Sequence, residues 1–118
     1  MRFITFYKPG AEATAPPSPQ HLAEMGKYIE ASFRAGFLLA TDGLLPSAKG
    51  ARVRIHSGKF TVTDGPFAEA KEVIGGYAVL QVKSKEEAIE RSKDFLNIVG
   101  QGECEVRQIF DPTEAPSK

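Results

Sequence analysis

Along the chain the spacing of hydrophobic positions switches between a period of two and a period of about 3.6 residues, the signatures of strand and helix. Arg2 to Lys8 alternates Phe3, Thr5 and Tyr7 against Ile4 and Phe6. Both sets are largely apolar, which predicts an interior strand. Leu22, Met25, Ile29 and Phe33 then recur at helical spacing, with Glu24, Lys27, Glu30 and Arg34 turned to solvent. This predicts an amphipathic helix from Pro19 to Ala35, capped by Ser18, opened by Pro19 and stopped by Gly36. Ala11 to Pro17 has no period and reads as an exposed loop. Phe37 to Ala40 reads as a short strand, Asp42 to Pro46 as an irregular crossing, and Ala48-Lys49-Gly50 as a turn. Ala51 to Ile55 alternates strictly and, with Ser57-Gly58 as the turn and Lys59 to Thr63 as the return, predicts a β-hairpin.

After Gly75-Gly76, Tyr77 to Val82 is almost wholly apolar, as a central strand would be. Ser84-Lys85-Glu86-Glu87 has the spacing of a capping box and opens a second helix. Its buried stripe is expected to be Ala88, Ser92, Phe95 and Val99, with Ile89 and Leu96 beside them, and Gly100 or Gly102 stops it. Glu103 to Phe110 gives a last strand, and Asp111 to Lys118 a Pro/Ser/Glu tail. The order is strand, helix, strand, hairpin, strand, helix, strand. That is an α+β architecture, a ferredoxin-like βαββαβ sandwich with an inserted β-hairpin, in one domain over residues 1–110 with a tail over 111–118. Because two core strands are apolar on both sides, a lone copy would leave one sheet face wet. A homodimer packed sheet to sheet is the expected remedy.

Composition narrows the function classes. The chain has 118 residues, enough for one core and too few for separate catalytic and binding modules. Fifteen basic and fifteen acidic residues cancel, so direct binding to nucleic acid or to an acidic membrane surface is not expected. The single cysteine, Cys104, cannot form an intramolecular disulfide, and no Cys/His spacing resembles a metal site, so no metal and no cofactor are expected. The apolar start is too short for an export signal or a spanning helix, which points to a cytoplasmic protein.

Candidate chemistry gathers around Thr63 to Tyr77, where Asp64, Glu69, Lys71 and Glu72 crowd one connection. Asp64, before Gly65-Pro66, suits either a turn-capping carboxylate or a base fixed at a strand end. Glu69, Lys71 and Glu72 are candidate ligand-binding groups, or a solvated turn. His21, in the first turn of the first helix, is the side chain best suited to proton transfer near neutral pH, or simply a packed histidine. Arg54, on one strand face with Arg52, could receive a carboxylate or phosphate, or lie solvated. His56, beside the hairpin turn, is a weaker candidate. Gly75-Gly76 lacks the spacing and following helix of a phosphate loop and marks a bulge or a close backbone approach.

The run Asp64-Gly65-Pro66-Phe67, continued through Ala68-Glu69-Ala70-Lys71-Glu72-Val73-Ile74-Gly75-Gly76-Tyr77, resembles the YCII-related superfamily, in the branch that takes its name from the DGPF motif. Gly43-Leu44-Leu45-Pro46 and Glu103-Cys104-Glu105-Val106-Arg107 also resemble the family pattern. The resemblance implies a ferredoxin-like fold that pairs as a dimeric α/β barrel. It also implies an active-site histidine near the start of the first helix, where His21 stands, with an aspartate. The superfamily's aspartate is expected late in the chain in another local context, and Asp64 is the candidate by position. Two functions follow as expectations. One is a small homodimeric protein binding an unknown small molecule near the Asp64 turn, with His21 and Asp64 moving a proton if it is an enzyme. The other is a non-catalytic regulatory or accessory module associated with a sigma factor, as the resemblance implies for some relatives.

Overall fold

β1 (Arg2–Lys8) lies inside a four-stranded antiparallel sheet, flanked by β5 (Gly76–Gln81) and β6 (Glu103–Gln108), and β2 (Leu38–Gly43) completes the order β2-β5-β1-β6. The computed structural model describes residues 1–10, 17–66 and 73–114. α1 (Pro19–Arg34) links β1 to β2, and α2 (Lys85–Val99) links β5 to β6. β3 (Ala51–His56) and β4 (Lys59–Asp64) form a separate two-stranded sheet. Two strand–helix–strand units with the central strands β1 and β5 side by side are compatible with a ferredoxin-like fold, with the β3–β4 hairpin inserted between its halves.

The sequence explains both helix starts. Ser18 is extended and its Oγ accepts the His21 N–H at 3.1 Å. Ser84 Oγ accepts the Glu87 N–H at 3.1 Å, while Glu87 Oε1 accepts the Lys83 N–H, so the reciprocal box closes one residue before the cap. α2 ends at Gly100, whose φ of 87° places it in the left-handed region, and not at Gly102.

The core lies between the helices and the odd-numbered face of β1. Phe3, Leu38, Leu80, Val82 and Ala88 are buried together, with Ile29, Phe37 and Val106 packed against them. Tyr7 meets Phe95 of α2 edge to face at 5.2 Å. Alternation puts Ile4, Phe6 and Val79 on the other face, where no helix lies among the described residues. There Tyr77 donates its hydroxyl to Asp42 at 2.8 Å, and Lys8 pairs with Glu105 at 2.9 Å.

Several expectations are corrected. The α1 stripe is rotated: Leu22 and Phe33 are exposed, and Met25, Tyr28, Ile29 and Ser32 face the cavity described below. The Tyr28 hydroxyl reaches the Arg91 carbonyl at 3.4 Å, a tie to α2 that hydrophobic spacing does not encode. Ile89 of α2 is likewise exposed. β2 runs on to Gly43, because Asp42 and Gly43 pair with Tyr77 and Gly76 where an irregular crossing was expected. Within β2 the register shifts between Leu38 and Ala40, leaving Leu39 as a bulge. The turn at Ala48–Gly50 is a short 3-10 helix, Ser47–Lys49.

Candidate functional site

Between the sheet and both helices lies a cavity of about 210 Å³. α1 contributes Met25, Tyr28, Ile29 and Ser32, α2 contributes Arg91, Ser92 and Phe95, and the sheet contributes Thr5, Tyr7, Thr41, Ala78, Leu80 and Cys104. The two small residues opposite Tyr7 and Thr5 on β5, Gly76 and Ala78, help to leave this space open. Most of the lining is carbon. A concave, mainly apolar chamber with a few placed polar groups is the usual form of a small-molecule site.

The polar groups of the chamber are nearly all occupied. Ser32 and Ser92 donate their hydroxyls back to the Tyr28 and Ala88 carbonyls at 2.7 and 2.9 Å. Thr41 donates to the Tyr77 carbonyl at 2.8 Å, and Tyr7 to the Gln101 carbonyl at 3.0 Å. The Arg91 guanidinium sits 3.8 Å over the Phe37 ring, within 3.7 Å of Glu87. Thr5 is the exception. It is 8% exposed, and its buried Oγ1 makes no well-aligned hydrogen bond among the described residues, with the Cys104 thiol as its polar neighbour. Such a hydroxyl, left dry, costs about 1–3 kcal/mol.

Cys104 stands across from Tyr7 on the neighbouring strand and also lines the chamber. It is half-buried. Burial pushes its thiol up and the nearby Glu103 charge adds to that, while the adjacent Thr5 hydroxyl, which stabilises the thiolate, opposes them. Burial likewise raises the Tyr28 and Tyr7 phenols. All three groups therefore stay protonated and neutral near pH 7, and the chamber's one formal charge, apart from Asp42 on its rim, is the Arg91 cation.

The residues singled out from sequence lie elsewhere. His21 is half-buried in the first turn of α1 and does not line the chamber; its backbone amide is held by Ser18. Asp64 is the exposed last residue of β4, opposite Ala51. No hydrogen bond or ion pair joins His21 to Asp64 within one chain, and Asp64 makes no side-chain hydrogen bond among the described residues. Among the described residues Asp64 therefore caps no turn, and Gly65 fixes this junction. A Cβ there would overlap the Ser47 carbonyl, and the Gly65 N–H donates to the Gly50 carbonyl at 3.1 Å. Arg54 is on the hairpin, opposite Thr61. Glu69, Lys71 and Glu72 lie outside the described residues, as do Phe67, residues 11–16 of the first loop and residues 115–118 of the tail.

Gly75 and Gly76 are close-approach positions, as expected. A Cβ on Gly76 would come 2.9 Å from the Asp42 carbonyl oxygen, and one on Gly75 3.2 Å from both Pro9 and Tyr7. Gly75 also donates its N–H to the Tyr7 carbonyl at 2.7 Å, tying the end of the signature stretch to β1 at the rim of the chamber. Among the described residues there is no group of three or more His, Cys, Asp or Glu side chains that could hold a metal ion, and no helix long and apolar enough to cross a membrane.

Sequence reasoning missed Thr5. The available signal was a hydroxyl at the central helix-facing position of an otherwise aromatic strand, between Phe3 and Tyr7.

A family model described as the YCII-related domain matches residues 1–113. The chain is also 36% identical over 94 residues to a protein of Rhizobium meliloti (strain 1021) described as uncharacterised, an alignment covering 77% of this chain and 73% of that one.

Proposed function

The chain belongs to the YCII-related domain family, and from that premise we propose that it is a homodimeric protein that binds a small, largely apolar molecule between its sheet and its helices. The observation that carries this reading is the carbon-lined chamber itself, where the buried Thr5 hydroxyl has only the Cys104 thiol, a weak partner, beside it. A ligand carrying one hydrogen-bonding group, such as a carbonyl or hydroxyl on a compact ring, would satisfy Oγ1 and bury its remaining surface against Met25, Ile29, Leu80 and Phe95. The Arg91 cation, stacked on Phe37, favours a neutral or anionic ligand over a cationic one.

The homodimer is proposed to pair the open sheet faces as a dimeric α/β barrel. In support, Ile4, Phe6 and Val79 form an apolar centre on a face without helices, bordered by the Tyr77–Asp42 and Lys8–Glu105 contacts. Proton transfer by a His21–Asp64 pair is not part of this reading, since the two side chains are not joined within one chain.

The test is a screen of compact uncharged and anionic compounds by amide-resolved NMR. Hits are expected to shift the amides of Thr5, Ala78 and Cys104, and to lose at least tenfold in affinity in Thr5→Val. Hits that map outside the chamber, or that bind Thr5→Val as well as the parent, refute the reading.

A further inference from the structure

A hydroxyl has one proton to give and two lone pairs to offer, so the partner of its proton decides which of the two a ligand meets. In the chamber those protons are committed. Ser32 and Ser92 give theirs to the carbonyls one helical turn back, those of Tyr28 and Ala88, at 2.7 and 2.9 Å. Thr41 gives its proton to the Tyr77 carbonyl at 2.8 Å, and Tyr7 to the Gln101 carbonyl at 3.0 Å. The Tyr28 proton goes across to the Arg91 carbonyl at 3.4 Å, and Tyr77 spends its own on Asp42 at 2.8 Å. What these groups leave over is lone pairs. Thr5 adds to the same side of the balance, because its buried Oγ1 accepts no well-aligned hydrogen bond among the described residues and the Cys104 thiol beside it is a weak donor.

We propose that the chamber selects its ligand by the proton the ligand donates: a compact, largely apolar, neutral molecule with an N–H or O–H group, and not one whose polar atom only accepts. This inference rests on the small-molecule reading above and narrows it, since of the carbonyl and hydroxyl named there only the hydroxyl brings a proton. A ketone oxygen entering the chamber sets lone pairs against lone pairs. A lining hydroxyl can turn to meet it only by giving up the partner it already has, and burial makes that mismatch costly because the ligand atom has left water without gaining a bond. Arg91 is the chamber's one cationic donor, and it is held 3.8 Å over the Phe37 ring and 3.7 Å from Glu87. An anion drawn to it meets the Glu87 carboxylate as well. The same Arg91 charge disfavours an ammonium as the donor, which leaves neutral N–H and O–H groups.

The experiment titrates the full chain with probes of closely similar size and shape, followed by NMR at the amides of Thr5, Ala78 and Cys104. Indole donates a proton where benzofuran has none to give, and 1-phenylethanol donates where acetophenone and benzoate only accept. Indole and 1-phenylethanol are expected to bind at least tenfold more tightly than their donor-free counterparts. Because the members of each set bury nearly the same apolar surface, shape and hydrophobicity cancel in the ratio. Benzofuran, acetophenone or benzoate binding in the chamber as tightly as its donor counterpart overturns the donor preference and leaves the small-molecule site standing. If none of the five probes moves these amides, that site falls and the preference with it.

Discussion

Replacing Thr5 with valine separates a packing role from a binding role in one substitution. Valine keeps the branched shape and exchanges the hydroxyl for a methyl. In most cores this destabilises, because a threonine hydroxyl has a partner to lose. Here Oγ1 is buried with only the Cys104 thiol, a weak acceptor, beside it, so the exchange removes most of a desolvation cost of about 1–3 kcal/mol and adds apolar contact. Thr5→Val should therefore be about 1–2 kcal/mol more stable than the parent in urea. With a melting shift of about 4 °C per kcal/mol for a domain of this size, Tm should rise by about 4–8 °C. Thr5→Ser is the control: it keeps the hydroxyl, loses a methyl, and should be about 1 kcal/mol less stable. The two variants thus move in opposite directions, and only the stabilised one should lose ligand affinity, the pattern expected where a site is kept at a cost in stability. If Thr5→Val is destabilised by as much as Thr5→Ser, the hydroxyl has a partner in the folded protein and the ligand argument fails with it.

Further predictions concern the surroundings. Cys104 should alkylate with iodoacetamide more slowly at pH 8 than a free cysteine, with the inflection of its rate–pH profile displaced upward by burial, and further upward in Thr5→Val, which loses the hydroxyl that stabilises the thiolate; a free-thiol profile would contradict the burial of Cys104. Gly65→Ala forces a Cβ into the Ser47 carbonyl, so it should cost about 1–3 kcal/mol and shift hairpin amides while leaving those of β1 and β5 in place, as read by NMR. The Lys8–Glu105 pair holds Glu105 below its ordinary value of 4.5 and Lys8 above its ordinary 10.5, chiefly through their mutual hydrogen bond. Its contribution should be present at neutral pH, fade as pH falls through the lowered Glu105 value, and fade again as pH rises through the raised Lys8 value. The urea midpoint of Glu105→Gln should therefore lie below the parent's at neutral pH and meet it in acid, once the pH has fallen below the lowered Glu105 value.

What could be read from sequence was what local chemistry decides. Ser18, Ser84 and Gly100 mark helix ends because they satisfy backbone groups within a few residues, and Ser57-Gly58 sets the hairpin turn, with φ of 50° and 77°. Gly75-Gly76 announced a close approach, and the glycines do lie against Tyr7, Pro9 and Asp42. What could not be read was decided across the fold. α1 turns Met25, Tyr28, Ile29 and Ser32 to the chamber, with Tyr28 reaching Arg91 63 positions away, so hydrophobic spacing alone chose Leu22 and Phe33 wrongly. The chamber is assembled from β1, β2, β5, β6 and both helices, and a threonine in a strand carries no local mark of being left unpartnered there. The charged run after Asp64 drew notice because charge is conspicuous in a sequence, whereas the residue of its signature that fixes the junction is Gly65.

β2 and β6 are the two rims of the four-stranded sheet, where unpaired amides and carbonyls can recruit a further strand. On β2 the extra residue at Leu39 interrupts the repeat, so an incoming strand meets no unbroken ladder. On β6, Glu103, Glu105 and Arg107 place charge along the rim. Lateral growth into a continuous sheet is disfavoured at both ends, which leaves the faces for the pairing proposed above, where a two-fold contact would use up its own surface and stop.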